Sequence, residues 1–348
     1  FAYKSFKWNN LASKNAGVTV VVVGVDNIKS GTRTLFDNDE KINVDYINPY
    51  LTTHNINYVG ALEKPAFTNI ELELGVYYSK SKGLIMSLEE MEKIKAAKVP
   101  DKYLMKFLGS DEFIKGKQRY CLWISDIDKD DALSYPEILE RVEKVKAERL
   151  ATKDSSVNKL AAKPYQFREF RGDEEMKIIV PIVSTENREY LPAGLIDGTA
   201  IASNKAFYTS NTELWVLAIL LSKLHLVWIG TVCVRMRTDF SYSNTLGWNT
   251  FPVPLLTEQN KADLTRCAEN ILLARESHFP ATIADLYAPD AMPENLRRAH
   301  EQNDETLERI YIGRRFKNDT ERLEKLFALY SQMTAYQERG RLKRKKAV

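Results

Sequence analysis

The chain has 348 residues, of which 44% are hydrophobic and 28% are charged, and its formal net charge is +3. These values are typical of a globular protein with two or three domains, and so small a charge does not by itself indicate nucleic-acid binding. The three cysteines, Cys121, Cys233 and Cys267, are scattered without C-x-x-C spacing. This argues against a disulfide scaffold or a zinc site and fits a reducing, cytoplasmic environment.

The N-terminal region contains the run VTVVVVGV (Val18–Val25). A continuous run of β-branched residues is typical of a strand buried on both faces of an α/β sheet. The sequence begins at Phe1 rather than Met, in what reads as the middle of a fold. We therefore expect a fragment of a larger protein.

Residues from about 55 to 255 mix strand-like and helical segments. Gln118–Ser125 and Lys177–Val183 are predicted strands, whereas Ser87–Ala97, with capping-box spacing, and Pro136–Arg149, with Pro at its start, are predicted helices. The order of these elements predicts a mixed α/β (α+β) fold.

The most apolar segment is LWVLAILLSKLHLVWIG (Leu214–Gly230), with Lys223 and His225 near its middle. A membrane-spanning helix needs roughly 20 largely uncharged residues. We predict one buried core helix with His225 as a core residue, and no membrane partner.

After Pro254 the sequence becomes charged and helix-forming, and strand signals disappear, so we expect a domain boundary near residue 255. The segment RGRLKRKK (Arg339–Lys346) has six basic side chains in eight residues. It could bind phosphates or be a solvated terminus.

The acidic segment DIDKDDALSYPE (Asp126–Glu137) has most of the carboxylates of a calcium-binding EF-hand loop, but Asp131 stands where that loop requires Gly. Its alternative interpretation is an acidic turn before a helix. Asp126–Asp131 with a divalent metal would also be the site of a nuclease. The four histidines are far apart, and the sequence contains no convincing catalytic set of its own.

Basic and aromatic residues alternate in KPYQFREFR (Lys163–Arg171). The basic residues are Lys163, Arg168 and Arg171, and the aromatic residues are Tyr165, Phe167 and Phe170. Such a segment could hold a DNA backbone while its rings pack or stack. The alternative is a half-buried edge strand with solvated arginines.

Polar residues occupy alternate positions in VRMRTDFSYS (Val234–Ser243), namely Arg235, Arg237, Asp239 and Ser241. Alternate residues of a strand point to opposite faces, so residues 234–242 are predicted to form one strand with a polar face. This face could read base edges, or it could be the solvent-facing side of an amphipathic strand.

The surrounding segment, LSKLHLVWIGTVCVRMRTDFSYSNTLGWNTFPVP (Leu221–Pro254), resembles the end of the target recognition domain in MmeI-like enzymes. These are single-chain restriction–modification proteins with an adenine-N6 DNA methyltransferase core. The shared pattern is an apolar helix with His225 and Trp228, the polar strand, Tyr242-Ser243 and Asn249-Thr250-Phe251-Pro252.

The resemblance covers most of the chain in collinear order. It includes FAYKSFKWNNLASKNAGVTVVVVGV, KFLGSDEFIKGKQRYCLWI, VPIVSTENREYLP and LRRAHEQNDETLERIYI. It implies the end of a methyltransferase domain at 1–55, a target recognition domain at 56–255 and a helical C-terminal domain at 256–348.

The chain departs from the family pattern at two places. The family has a Gly-rich stretch near GVYYSKSKGLIMS (Gly75–Ser87), where this chain keeps only Gly75 and Gly83. The catalytic Asn/Asp-Pro-Pro-Tyr/Phe motif is absent, since Asn48-Pro49-Tyr50 lacks the second proline. The resemblance thus implies no cofactor in this chain and S-adenosylmethionine in its full-length parent.

The resemblance also implies partners and site residues. The partners are double-stranded DNA and the upstream methyltransferase domain of the same polypeptide. The implied base-reading residues are Arg237, Asp239 and Ser241, with Arg235 beside them, while Phe6 or Trp8 could line the pocket for an extruded adenine or be core residues. The alternatives are a metal-dependent nuclease and a helical protein-interaction scaffold.

Overall fold

The computed structural model describes residues 1–8, 18–27, 31–37, 40–53, 58–78, 80–170 and 176–345. Its strands in these ranges are β1 (Ala2–Trp8), β2 (Val18–Val23), β3 (Arg33–Asp37), β4 (Glu40–Val44), β5 (Glu73–Leu74), β6 (Ile85–Ser87), β7 (Leu104–Leu108), β8 (Arg119–Leu122), β9 (Met176–Pro181), β10 (Val183–Ser184), β11 (Gly194–Asp197), β12 (Ala200–Ala202), β13 (Ala206–Thr209), β14 (Arg235–Met236) and β15 (Asp239–Ser241). Its helices are α1 (Leu88–Ala96), α2 (Ser110–Lys115), α3 (Lys129–Leu133), α4 (Pro136–Leu150), α5 (Ser155–Asn158), α6 (Leu214–Leu220), α7 (Lys223–Val232), α8 (Glu258–Glu276), α9 (Ile283–Leu286), α10 (Glu294–Ile312) and α11 (Asp319–Lys345). The predicted mixed α/β fold with a helical C-terminal region is confirmed.

The N-terminal sheet has the strand order β2-β1-β3-β4. The valine run forms β2, as predicted, but the predicted burial on both faces is wrong, because β2 lies at the sheet edge. Val21 and Val23 are more than half exposed and Val25 is 92% exposed. The small core of this sheet is formed by Ala2, Leu35 and Val44.

Two four-stranded sheets form the central region, with strand orders β12-β7-β8-β6 and β11-β9-β13-β5. The predicted helix starts are confirmed here, since Ser87 and Glu90 form a capping box on α1 and Pro136 begins α4. The apolar stripe of α4, which includes Ile138 and Val142, is buried in the core that also contains β7 and β8 residues.

The apolar segment 214–230 forms two helices rather than the single helix that we predicted. The chain bends between α6 and α7 because Ser222 caps the N-terminus of α7 and its hydroxyl accepts from the His225 amide. No single helix among the described residues is long and apolar enough to cross a bilayer; α6 and α7 reach that composition only as a pair bent by 57°.

The C-terminal helices pack directly on the central region. One hydrophobic cluster joins residues of α6 and α7, such as Leu217 and Trp228, to Leu264 of α8, Leu307 of α10 and Phe327 of α11. The basic segment Arg339–Lys346 continues α11 through Lys345, but its side chains lie outside the described part of the chain.

A buried polar network fastens α10 to this core. The Asp304 carboxylate accepts from the Lys223 amide at 2.8 Å and from the Tyr190 hydroxyl at 3.0 Å. The Tyr190 ring stacks on His300, with 3.9 Å between the ring centroids. Burial raises the pKa of Asp304 from 3.8 to about 6. The fold therefore favours the neutral carboxyl group.

We expect the substitution Asp304→Asn to remove a pH dependence of stability. A raised pKa in the folded state stabilises the fold at low pH, and this contribution is lost as pH rises from about 4 through about 6. Asparagine stays neutral and keeps the acceptor for the Lys223 amide. The variant should therefore gain stability relative to the wild type between pH 4 and pH 7, by on the order of 3 kcal/mol.

Urea unfolding at several pH values measures this difference. Asp290→Asn is the control, because Asp290 is exposed in the loop before α10. A difference between Asp304→Asn and the wild type that does not change with pH would contradict the interpretation.

Candidate DNA-recognition surface

The segment that we predicted as one strand, residues 234–242, is a β-hairpin. β14 pairs with β15 in antiparallel register, with Arg235 opposite Phe240 and Met236 opposite Asp239. The connecting turn has only two residues, Arg237 and Thr238. Arg237 adopts a left-handed φ of 61°, which permits so tight a turn. The single-strand prediction is wrong because the alternation of residue types continues through the turn.

The hairpin separates the four predicted polar residues. Phe240 is buried against the core, so its neighbours Asp239 and Ser241 on β15 point to the opposite, outer face. Met236, opposite Asp239, shares that face and is 58% exposed. Arg235 lies opposite Phe240, on the other face, so the four residues do not form one row.

Arg235 supports the hairpin through contacts with the turn, with Phe240 and with the end of α7. Its guanidinium lies over the Phe240 ring at 4.7 Å and donates to the Thr238 carbonyl at 2.9 Å and the Gly230 carbonyl at 3.4 Å. These contacts join the turn to the end of α7. Its donors are thus largely engaged within the protein.

Arg237 extends from the tip of the hairpin. Its side chain is exposed, and it has no hydrogen bond or ion pair with other described residues. A left-handed conformation is uncommon for a residue other than glycine, and such strain often occurs at functional positions. Because the side chain is exposed and has no partner among the described residues, its guanidinium is available to an external acceptor.

A third strand completes the sheet and brings in a residue that our sequence analysis missed. β10 pairs with β15, with Ser184 opposite Phe240. The half-buried Arg188 donates to the Ser184 hydroxyl at 3.3 Å. Burial lowers the pKa of Arg188, and the Asp239 carboxylate opposes that change. Arg188 thus places a positive charge beside Asp239; only its occurrence in the family-like segment VPIVSTENREYLP could have indicated it.

The motif residues that carried the resemblance form a buried scaffold beneath the hairpin. His225 Nε2 lies 3.0 Å from the Tyr242 hydroxyl, and burial lowers the pKa of His225 to about 3, so the imidazole is neutral. Trp228 donates to Thr250, and Trp248 donates to the Ile70 carbonyl. The prediction of His225 as a core residue is confirmed.

The basic and aromatic segment 163–171 is an irregular loop for its described part, residues 163–170. Tyr165 and Phe167 are buried, so these rings belong to the core and cannot stack on a nucleic acid. Lys163 pairs with Asp126, whereas the exposed Arg168 donates to Ser156 at 2.9 Å. Arg171 lies outside the described residues.

The acidic segment is paired internally. Asp126 accepts from Lys163 and Tyr165, and Asp128 pairs with Lys102 at 2.8 Å; these hydrogen bonds lower the pKa values of both carboxyl groups. Asp131 accepts from Tyr103. In the part of the chain that the structure describes, no three His, Cys, Asp or Glu side chains are grouped so that they could hold a metal ion.

Phe6 and Trp8 lie on β1 of the N-terminal sheet, far in sequence from the hairpin. Phe6 is half-buried and Trp8 is 49% exposed, with 6.2 Å between their ring centroids. Trp8 is therefore not a core residue within the described chain. Its role in a base pocket stays a prediction.

Comparison with known families identifies these regions. The family model described as "MmeI, target recognition domain" matches residues 53–255, more than half of the chain. The chain belongs to the MmeI family. Models of the MmeI DNA-methyltransferase domain and the MmeI C-terminal domain match residues 1–37 and 256–337. The resemblance predicted from the sequence motifs is confirmed.

Two known proteins resemble this MmeI-family chain over nearly its whole length. "DNA methyltransferase A" of Bacillus subtilis (strain 168) is 39% identical over 96% of the chain, which spans 38% of that protein. A solved structure of the Type IIL restriction–modification enzyme MmeI in complex with DNA is 27% identical, with a TM-score of 0.86. The match covers 96% of this chain and 46% of the MmeI chain in that structure. Neither similarity supports the nuclease alternative.

Proposed function

We propose that this chain is the sequence-reading part of a site-specific adenine-N6 DNA methyltransferase of a restriction–modification system. The observation that carries the proposal is the exposed hairpin 235–241 in a chain of the MmeI family. The major groove of B-DNA admits a two-stranded β-ribbon, and the base edges there distinguish all four base pairs. A hairpin supported from one side and polar on the other suits that groove.

Three side chains of the hairpin would read bases. Arg237, at the tip, can donate two hydrogen bonds to guanine O6 and N7, and Asp239 can accept from the amino group of cytosine. Ser241, two residues along the same face, can donate or accept. We assign Arg235, which the sequence grouped with these readers, to supporting the hairpin, because its guanidinium already binds Thr238 and Gly230.

Arg188 would hold the Asp239 carboxylate in place. An acceptor that reads a base amino group must lie in a fixed position, and the half-buried Arg188 is the cation whose charge acts on Asp239. The same cation balances the repulsion between Asp239 and the DNA phosphates. Arg188 is therefore a positioning residue in this proposal.

Methyl transfer would take place in the preceding part of the polypeptide. This sequence has no Pro-Pro pair, so it lacks the catalytic motif that the family uses. S-Adenosylmethionine would supply the methyl group there. The division at residues 55 and 255 and the cytoplasmic location are parts of the same proposal.

The recognition region would hold the duplex while the target adenine is turned out of the helix. Trp8 and Phe6 are our candidates for lining the entrance to the adenine pocket. Lys163, Arg168 and Arg171 are candidates for phosphate contacts. Lys163 would have to give up its ion pair with Asp126 to bind a phosphate. The exposed Arg168 is therefore the stronger candidate for a phosphate contact.

The helices that follow residue 256 are better suited to supporting the recognition region than to acting as a separate scaffold. Their apolar residues, including Leu264, Leu307 and Phe327, are buried in the same cluster as α6 and α7. The face that a scaffold would offer to another protein is thus largely used within the chain.

Mapping of N6-methyladenine in cells that express the full-length protein tests the proposal. We expect methylation at one sequence motif, absent from cells that lack the gene. The 348-residue chain alone should bind a duplex containing that motif and transfer no methyl group. Methylated cytosine instead of adenine, or a chain without affinity for duplex DNA at low salt, would overturn the proposal.

A further inference from the structure

A surface pocket of about 730 Å³ lies beside the turn that contains Lys80. Its lining includes Lys80 and Lys82 from this turn region, Lys205 from the loop before β13, and Tyr77, Tyr78 and Glu148. The three lysines and one glutamate give the named lining residues an excess of two positive charges. Tyr77 is 48% exposed, and its ring stacks on that of Tyr78 with 6.1 Å between centroids.

The lysines of this pocket are unpaired within the described chain, unlike several other surface lysines. Within the described ranges, Lys80, Lys82 and Lys205 have no carboxylate at ion-pair distance. By contrast, Lys102 and Lys117 pair with aspartates at 2.8 and 2.7 Å. An unpaired ammonium group can bind a phosphate without first losing an internal partner.

The turn that carries Lys80 is held in place by buried groups. The Ser81 amide donates to the Tyr78 carbonyl at 2.9 Å, and the buried Ser81 hydroxyl accepts from Arg149 at 2.6 Å. Lys80 itself has a left-handed φ of 51°. A lysine keeps this unfavourable conformation only where its surroundings impose it. The position of the Lys80 backbone is therefore set by the fold.

The pocket is connected to the recognition hairpin through the backbone. The Lys205 carbonyl accepts from the Ile182 amide at 3.2 Å, and the Ile182 carbonyl accepts from the Tyr242 amide at 2.7 Å. Ile182 immediately precedes β10, which pairs with β15. Two hydrogen bonds thus relate the pocket to the base-reading strand.

We propose that this pocket binds phosphates of the DNA backbone next to the bases that the hairpin reads, with Lys80 and Lys82 as the principal contacts. The inference rests on the proposed function and extends it to a named backbone contact. Arg149 would act as a positioning residue through Ser81.

Duplex binding by the full chain, measured by fluorescence anisotropy over a range of salt concentrations, tests the inference. The test variants are Lys80→Asn, which tolerates a left-handed backbone, and Lys82→Gln. Lys98→Asn is the matched control, because Lys98 is an exposed lysine with a φ of 62° outside the pocket. Glu148→Gln, which removes the negative charge from the pocket, is expected to tighten binding.

We expect the Kd to rise about tenfold in each lysine variant near 0.1 M salt, equally for specific and nonspecific duplexes. The slope of log Kd against log salt should fall by about one per lysine removed. Lys98→Asn should match the wild type in both quantities. Circular dichroism and urea unfolding check that each variant is folded.

Different failures separate the two proposals. A wild-type chain that does not bind duplex DNA overturns the proposed function and this inference with it. A wild-type chain that binds, with the lysine variants indistinguishable from Lys98→Asn, overturns only the pocket. A loss of affinity restricted to one base sequence would also overturn it, since phosphate contacts act on all sequences.

Discussion

Substituting Asp239 with Asn in the full-length protein is expected to change which base pair is accepted at one position of the methylated motif. The carboxylate only accepts hydrogen bonds, whereas an amide both donates and accepts, so it can pair with adenine N6 and N7. Discrimination at that position should change by about 1–3 kcal/mol. Arg237→Ala should relax the requirement at a second position by a similar amount, because the guanidinium at the tip has no partner within the described chain.

Genome-wide mapping of methylated motifs measures both effects. Arg298→Ala is the control, since Arg298 is an exposed arginine on α10 that pairs with Glu294 in the same helix. A thermal melt should accompany Asp239→Asn, because Arg188 loses its charged neighbour in that variant. If both hairpin variants are folded and methylate the wild-type motif, Arg237 and Asp239 do not read bases.

The Lys98 and Arg298 controls serve different comparisons. Lys98 matches the charge and backbone conformation of Lys80, and Arg298 matches the side-chain chemistry and exposure of Arg237. Lys98 follows α1 and Arg298 lies on α10, so neither belongs to the hairpin or lines the pocket. A general loss of positive charge is thereby separated from the loss of a particular contact.

The helices could be predicted because their signals are local in sequence. The capping box at Ser87, the proline at the start of α4 and the charged amphipathic segments after residue 257 each lie within a few turns of the element that they define. The bend between α6 and α7 was missed because a serine inside an apolar run is compatible with one helix. The cap that Ser222 provides for α7 is seen only in the structure.

The hairpin could not be predicted from the same signals. Two-residue turns are usually recognised by glycine or asparagine, and here the left-handed position is occupied by Arg237. The alternation of polar and apolar residues is unbroken across the turn. Consequently the residues of the site were identified, but their division between two faces and a tip was not.

The ion pairs between residues far apart in sequence also could not be predicted. The sequence indicated Lys163 as a candidate for phosphate contact, but the structure pairs it with Asp126. No sequence pattern indicated Lys80 or Lys82, which have no ion pair in the described chain. Arg188 meets Asp239 only because β10 and β15 are neighbours. Pairing of surface charges depends on the assembled sheet order, which residue types alone do not specify.

The largest effect on stability is expected from Arg149→Met. Arg149 is fully buried, and its guanidinium donates to the carbonyls of Leu160, Lys163 and Gln166 and to the Ser81 hydroxyl, at 2.6–2.9 Å. Burial lowers its pKa to about 10, so it remains charged at neutral pH. Methionine would remove this donor from the buried Gln166 carbonyl, from two partly buried carbonyls and from the buried Ser81 hydroxyl. We expect the free energy of unfolding to fall by roughly 3 to 5 kcal/mol.

Urea unfolding of the full chain measures this change, with Arg141→Met as the control. Arg141 is on the same helix and also donates to backbone carbonyls, those of Gly83 and Ile85, but its side chain is 20% exposed, so water can replace it at a cost of about 1 kcal/mol. Arg149→Lys should lie between the two, since an ammonium group cannot reproduce the planar set of donors. Hydrogen exchange should accelerate in residues 159–166, which these bonds hold against α4. An Arg149→Met variant as stable as Arg141→Met would mean that water enters the cluster, and the turn at Lys80 would then lose its fixed position.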